Sequence, residues 1–375
     1  MPFDATPSAT SRPGVQRPAT RAVALWLFIV CGMLLVMVAL GGATRLTGSG
    51  LSIMEWAPLM GALPPLSDAE WQRLYGLYQG IPQYSLVNDG FGLEGFKHIF
   101  WLEWAHRLWG RLIGLAFLAP LAWFALRGRI DRRLAKRLGL LFLLGGLQGG
   151  IGWFMVASGF AADSTAVSPY RLVIHLAMAL TLYAAILWTA LSLWHAPSES
   201  PAIPAPGLRR LTVATCASVG LTILAGGFVA GLKAGLTYNS FPLMDGSLVP
   251  DGYARLHPFL RNLTENVATV QFDHRVLATL TATLALATVV AGLRRGVTGR
   301  LRAALAALGL AVAGQYALGV TTLLWVVPVS LGTAHQAMAV LVLTAALVAA
   351  HAQVGSGQVG GGAAERREPK QWARL

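Results

Sequence analysis

Eight apolar runs constrain this chain more than any other feature. They fall at about residues 21–43, 98–126, 138–158, 170–194, 209–231, 266–292, 302–327 and 330–352, each near or above the ~20 residues that carry a helix across hydrocarbon. Backbone groups in lipid must pair within their own segment or in a closed barrel, and runs this long, rich in Leu and Ala, favour helices. Composition agrees, with 12% of the 375 residues charged against roughly 25% in soluble domains. The expected fold is an all-α membrane protein of eight transmembrane helices.

The net charge of +13 raises the question of a nucleic-acid partner, and its distribution answers it. The N-terminal tail, RGRIDRRLAKR (127–137), the linker to Arg210, the 294–302 turn and the C-terminal tail together hold 19 Lys/Arg against 5 acids. The opposite loops hold 7 against 9. By the positive-inside rule the first set is cytoplasmic, so both termini lie inside, and the basic excess is a topology signal with no nucleic-acid partner implied. Residues 1–20 lack an apolar core and read as a disordered cytoplasmic tail rather than a cleaved leader. Residues 354–375, opening on a Gly-rich stretch, read likewise. Only Cys31 and Cys216 occur, both in mid-span, so an outer-loop disulfide is excluded.

The chain repeats itself. GGATRLTGSGL (41–51) answers GGFVAGLKAGL (226–236), and APLMGALPP (57–65) answers FPLMDGSLVP (241–250). EWAHR (103–107) answers QFDHR (271–275), LQGGIG (147–152) answers GQYALG (314–319), and IHLAMA (174–179) answers AHQAMA (334–339). Four helices per repeat is an even number, so both halves enter the membrane from the same side. The result is two parallel pseudo-symmetric four-helix bundles, residues 21–195 and 209–353, joined by a cytoplasmic linker at 196–208.

Four of the eight histidines fall at matched positions: His106, His175, His274 and His335. All lie on even-numbered spans, near their outer ends. A lone membrane histidine is often a hydrogen-bonding group between helices; two matched pairs are harder to explain that way. Two imidazoles from opposite helices of a four-helix bundle are what a low-spin haem takes as axial ligands, whereas zinc or non-haem iron asks for a third or fourth donor. Glycines at Gly41, Gly42, Gly145, Gly146, Gly149, Gly150 and Gly152, and at Gly226, Gly227, Gly314 and Gly319, offer room for a macrocycle or allow tight helix packing. Arg45 and Lys233, with Arg107 and Arg275, lie at the level expected of the propionates, where a snorkelling side chain also belongs.

The halves differ three residues before the first histidine, where Glu103 stands opposite Gln271. An amide does not exchange a proton; a carboxylate does. An ionisable group inside a membrane is a functional candidate, and a Glu103–Arg107 ion pair at i, i+4 is the structural alternative. The asymmetry marks the first half as the site of chemistry.

GGATRLTGSGLS and EWAHR in the first half, with FDHR and TAHQAMA in the second, resemble the haem A synthase family over residues 20–352. The resemblance implies oxidation of the C8 methyl of haem O to a formyl group, giving haem A for terminal oxidases. It implies haem b as cofactor, on His274 and His335, and haem O as substrate, on His106 and His175. Glu103 is then the catalytic carboxylate, positioning or deprotonating the water that supplies oxygen. Arg45, Arg107, Lys233, Arg275, Gly42 and Gly227 are the expected porphyrin contacts. Residues 44–97 lack the cysteine pair that some members carry in this loop, resembling the proteobacterial and mitochondrial branch. Haem O synthase and oxidase assembly factors are natural partners, and the composition points to a bacterial inner membrane. Two other functions fit part of the pattern: a two-haem b-type electron carrier, which leaves the Glu103/Gln271 difference unexplained, and a transporter on parallel repeats, which leaves the polar residues crowded in the outer third.

Overall fold

The computed structural model describes residues 16–58, 60–162, 164–195 and 206–353, and among these there are helices and connections but no β-strand. Eight helices are long and apolar enough to cross a membrane. In chain order the α-helices are α1 (Gln16–Leu46), α2 (Asp68–Gln79), α3 (Pro82–Val87), α4 (Gly92–Leu126), α5 (Arg132–Ala157), α6 (Pro169–Trp194), α7 (Pro206–Gly231), α8 (Asn262–Glu265), α9 (Val267–Arg294), α10 (Gly299–Leu324) and α11 (Val329–His351). Side-chain caps set several starts: Asp131 accepts from the Leu134 amide at 2.7 Å, and Asn266 from that of Thr269 at 3.2 Å.

Three boundaries differ from expectation. Residues 16–20 are already helical in α1, and α7 starts at Pro206 inside the expected linker; proline at a first helical position loses no intrahelical bond. The remaining tail and linker segments, 1–15, 196–205 and 354–375, lie outside the described residues. The third difference is α4, which begins at Gly92 and not at 98 because its first turns belong to a cap built from the first connection.

That cap was not anticipated. Helix α2 is amphipathic, with Ser67 as its N-cap and Trp71, Leu74 and Tyr78 buried on one face. They pack on Phe96, Ile99 and Phe100 of α4 and on Leu51 and Ile81. In water each such side chain contributes about 1.5–3 kcal/mol on burial, enough to keep the first connection ordered. Arg73 ties α2 to the preceding loop through two bonds to Glu55, at 2.8 and 2.9 Å.

Within the membrane, α1, α4, α5 and α6 pack in a ring with α4 and α6 on its diagonal. Helices α7, α9, α10 and α11 form a second ring with α9 and α11 on the diagonal. The rings meet where α1 packs on α11 and α6 on α7, while α6 also touches α11. One apolar core runs through both, including Leu27, Leu138, Leu187, Leu305, Leu308 and Ala346. Lipid is as apolar as these side chains, so close packing and hydrogen bonds between helices hold the rings together. The α7–α9 seam shows such bonds, with Thr215 to Thr288 at 2.8 Å and Thr281 to both Ser218 and Thr222 at 2.6 and 2.7 Å.

Candidate functional site

Each matched histidine lies on a diagonal helix, and each rests on a glycine of the preceding membrane helix. A Cβ placed on Gly41 would come within 3.0 Å of Cε1 of His106, and one on Gly152 within 3.0 Å of His175. The distances are 3.1 Å from Gly226 to His274 and 2.8 Å from Gly319 to His335. These glycines are themselves repeat partners, 185 and 167 residues apart. Sequence reasoning left the glycines as room for a macrocycle or as sites of tight helix packing; at these four positions the imidazole edge fills the room, and the absent Cβ lets each ring lie against its neighbour helix.

All four histidines are half-buried. His106 and His175 lie on the diagonal helices α4 and α6 of the first ring, and His274 and His335 on α9 and α11 of the second. Nδ1 of His106, His274 and His335 is buried without a hydrogen-bond partner. Such orphaned donors or acceptors are costly unless a ligand or a shift of the ring completes them. Among the described residues no three His, Cys, Asp or Glu side chains converge on one point. Donors that come in twos suit an iron whose other four nitrogens come from a porphyrin, and do not suit a bare tetrahedral metal.

Of the remaining expected contacts, Gly42 and Gly227 each face a residue of the other ring. A Cβ on Gly42 would meet Gln336 Oε1 at 2.6 Å, and one on Gly227 would meet Val173 at 3.0 Å and Leu176 at 3.3 Å. Both glycines therefore sit where the two rings press together, and the reason they are small is interhelical contact, not porphyrin contact. Arg45 reaches the other half as well, donating Nη1–H to the Ala230 carbonyl at 2.7 Å and leaving Nε buried without a partner. Lys233 is exposed, in a left-handed backbone conformation (φ 53°) just beyond α7.

Arg107 and Arg275 do the same task in the two halves. Arg107 donates to the carbonyls of Ile53 (2.5 Å) and Glu55 (2.9 Å), and Arg275 to those of Tyr238 (2.7 Å) and Ser240 (2.9 Å). These carbonyls are again repeat partners, so each arginine fastens the first connection of its own half to its bundle. Arg111 adds bonds to the Ala57 and Pro58 carbonyls, both at 2.8 Å, with no equivalent at Thr279.

Glu103 is 2% exposed and fully engaged. One oxygen accepts from the Ser52 hydroxyl at 2.7 Å and the Ile53 amide at 2.9 Å; the other accepts from Arg107 at 2.7 and 3.1 Å. The anticipated ion pair with Arg107 forms. Gln271 meets the matching loop with the opposite polarity, donating to the Tyr238 carbonyl at 3.0 Å and leaving Oε1 unpartnered. Sequence reasoning missed Ser52 and Ile53, whose contribution depends on a loop fold, and Gln148, which touches His175. The LQGGIG/GQYALG match contained Gln148 without indicating its contact.

His351, without a repeat counterpart, is satisfied at the other end of the molecule by Ser192 (3.0 Å) and Arg300 (2.9 Å). Its burial is structural.

Known proteins resemble this chain over most of its length. Residues 24–347 match the family described as cytochrome oxidase assembly protein, COX15-CtaA. The chain is similar to a protein named "Heme A synthase" from Granulibacter bethesdensis, 64% identical over 90% of this chain and 88% of the relative. It is 50% identical to the "Heme A synthase" of Rhodospirillum centenum, over 89% of each, and 47% identical to that of Nitrosospira multiformis, over 90% and 94%. With the match extending over nearly every membrane helix, the chain belongs to the COX15-CtaA family of cytochrome oxidase assembly proteins.

Proposed function

We propose that this chain is a haem A synthase of a bacterial inner membrane, oxidising the C8 methyl of haem O to a formyl group. The observation that carries the reading is the fourfold recurrence of an imidazole seated on a glycine, two per ring, on diagonal helices. The similarity to haem A synthases supplies the substrate. We read the rings as parallel pseudo-symmetric bundles with both termini cytoplasmic, supported by the repeat-matched contacts and the charge asymmetry.

In this reading His274 and His335 hold haem b, which takes and passes single electrons when bound. His106 and His175 hold the substrate. Two rounds, each breaking one C–H bond, forming one C–O bond to a water oxygen and releasing two protons and two electrons, the electrons leaving one at a time to an external acceptor, give a geminal diol; loss of one water leaves the formyl group. Glu103 is the residue for the protons. Ser52, Ile53 and Arg107 hold its carboxylate in place, and Arg107 and Arg111 keep the loop over the bundle. The bond from Ser52 is one its hydroxyl can redirect when the carboxylate takes a proton. Arg45, Arg275 and Arg111 each retain a buried N–H without an acceptor, which suits carboxylates arriving with the porphyrin. Haem O synthase and oxidase assembly factors are the expected partners.

A two-haem electron carrier would share the histidines, but not the carboxylate held by four donors where the other half has an amide. Chromatography of pigments extracted from the purified protein separates the readings. Haem A, or its alcohol precursor, together with haem b supports the synthase; haem b alone at two per chain refutes it. Glu103→Gln keeps haem and stops turnover; continued haem A formation in that variant removes Glu103 from the chemistry.

A further inference from the structure

The two halves are alike at the histidine seats and unlike just beyond them, on the side away from the connections that follow α1 and α7. On α5, Gly145 and Gly149 stand seven and three residues before Gly152, the seat of His175, so the three share one face over about 10 Å of helix. The matched residues of α10 are Val312 and Tyr316, before Gly319, the seat of His335. On the neighbouring helices, Gly114 of α4 answers Ala282 of α9. A Cβ on Gly114, Gly145 or Gly149 would meet nothing within 4 Å. These glycines therefore do not serve close helix packing, as Gly227 and Gly231 do with contacts of 3.0 and 2.8 Å. Each costs roughly 1 kcal/mol of helix propensity relative to alanine, with no protein contact in return.

The second half fills the same place. The hydroxyls of Tyr316 on α10 and Thr279 on α9 lie 3.0 Å apart, and the Tyr316 ring meets Phe241 edge to face with centroids 6.3 Å apart. Val312, one turn before Tyr316, is buried. Tyr316 thus bridges the α9–α10 seam one turn beyond the seat of His335. In the first half Arg111 stands at the position of Thr279 and is turned to the Ala57 and Pro58 carbonyls. The aromatic contact there is Trp56, from the loop segment matching that of Phe241, stacked on Trp153 at 5.1 Å. Trp153 lies four residues past Gly149, one turn nearer the first connection, so the α4–α5 seam has no side chain from α5 at the level where Tyr316 bridges its counterpart.

Haem O carries a hydroxyethylfarnesyl chain where haem b has a vinyl group. We propose that Tyr316 is a specificity-determining residue that closes the α9–α10 seam against this chain, so that the second bundle takes haem b. In the first bundle Gly114, Gly145 and Gly149 leave the α4–α5 seam open for the chain to lie along α5 and reach lipid. An isoprenoid chain needs no polar partner, only apolar room. Two sites with the same pair of iron ligands then sort their porphyrins by the side chain at one repeat position, glycine in the first half and tyrosine in the second. The inference rests on the site reading proposed above.

The test is chromatography of pigment extracted from full-length protein, purified from cells that make both haem b and haem O, with one site removed at a time. His106→Ala/His175→Ala, which keeps the second site, carries haem b. Adding Tyr316→Gly to it admits haem O and raises the ratio of haem O to haem b at least about tenfold, the lower end of what a single group decides in an apolar pocket. Tyr316→Phe keeps the ring and still excludes haem O. His274→Ala/His335→Ala, which keeps the first site, carries haem O; adding Gly149→Tyr removes it, while the protein still binds added iron protoporphyrin IX and so reports an intact fold. A ratio unchanged by Tyr316→Gly, or haem O retained in Gly149→Tyr, overturns the inference. Loss of iron protoporphyrin IX together with haem O from Gly149→Tyr also overturns it, since only the chain is to be refused. Should Tyr316→Gly carry no haem at all, Gly149→Tyr decides alone. If either double histidine variant holds the other porphyrin before these changes are added, the site reading fails and the inference falls with it.

Discussion

Adding one methyl group beneath a histidine tests the glycine seats directly. In Gly319→Ala the new Cβ lies 2.8 Å from Cε1 of His335, whereas unstrained carbon contacts begin near 3.5 Å. The ring must retreat by about 0.7 Å, beyond the ~0.5 Å within which a working ligand set has to be held. Overpacking costs about 1–3 kcal/mol, and alanine returns roughly 1 kcal/mol of helix propensity. Global stability therefore changes little while haem retention suffers. The matched changes at Gly41, Gly152 and Gly226, with contacts of 3.0, 3.0 and 3.1 Å, are expected to act in the same direction and less severely. Gly139→Ala is the control, since its Cβ meets nothing within 4 Å; it should keep haem and gain up to about 1 kcal/mol. The assay is haem per chain together with thermal melting in detergent. Full haem content and an unchanged low-spin spectrum in Gly319→Ala would refute the seat.

Arg107→Ala and Arg275→Ala each free two loop carbonyls, and hydrogen exchange is expected to rise at 52–56 in the first and 238–241 in the second, with no crossover; equal effects on both loops would show that the staples are not local. In the cap, Tyr78→Phe strips the half-buried Asn88 side-chain amide and the buried Gln83 side-chain carbonyl of partners at 2.6 and 3.1 Å, a loss of about 1–3 kcal/mol that protease sensitivity within 68–91 will register. Acid loosens the same cap. Arg73 hydrogen bonds hold the Glu55 carboxyl below its ordinary range despite slight opposing desolvation, so its contribution is complete above that range and lost as pH falls through the lowered value. The pair is exposed and worth at most about 1 kcal/mol; Trp56 and Trp71 fluorescence between pH 6 and 3 should follow it in wild type and not in Glu55→Gln.

Much of this architecture was legible because lipid enforces it. Eight apolar runs become eight helices since no other backbone arrangement satisfies itself at that length, and the histidine pairs could be matched because both halves kept their order. The cap was illegible for the opposite reason: α2 has only a weak amphipathic pattern, and its role appears once Trp71 and Tyr78 meet Phe96 across the chain. Gly42 and Gly227 show the limit of reading small residues. Adjacent positions on one helix differ by about 100° in direction, so Gly41 seats His106 while Gly42 meets the other half. Glu103 was identifiable as unusual by comparison with Gln271. Its four donors were not, because two come from a loop whose path no periodicity encodes.

Paired substitutions with haem quantification test the central claim most directly. His274→Ala/His335→Ala is expected to lose haem b, while His106→Ala/His175→Ala keeps haem b and loses haem O and haem A from the extracted pigments. Pigment unchanged by either double substitution, or both pigments lost equally from each, would contradict two separate bis-histidine sites.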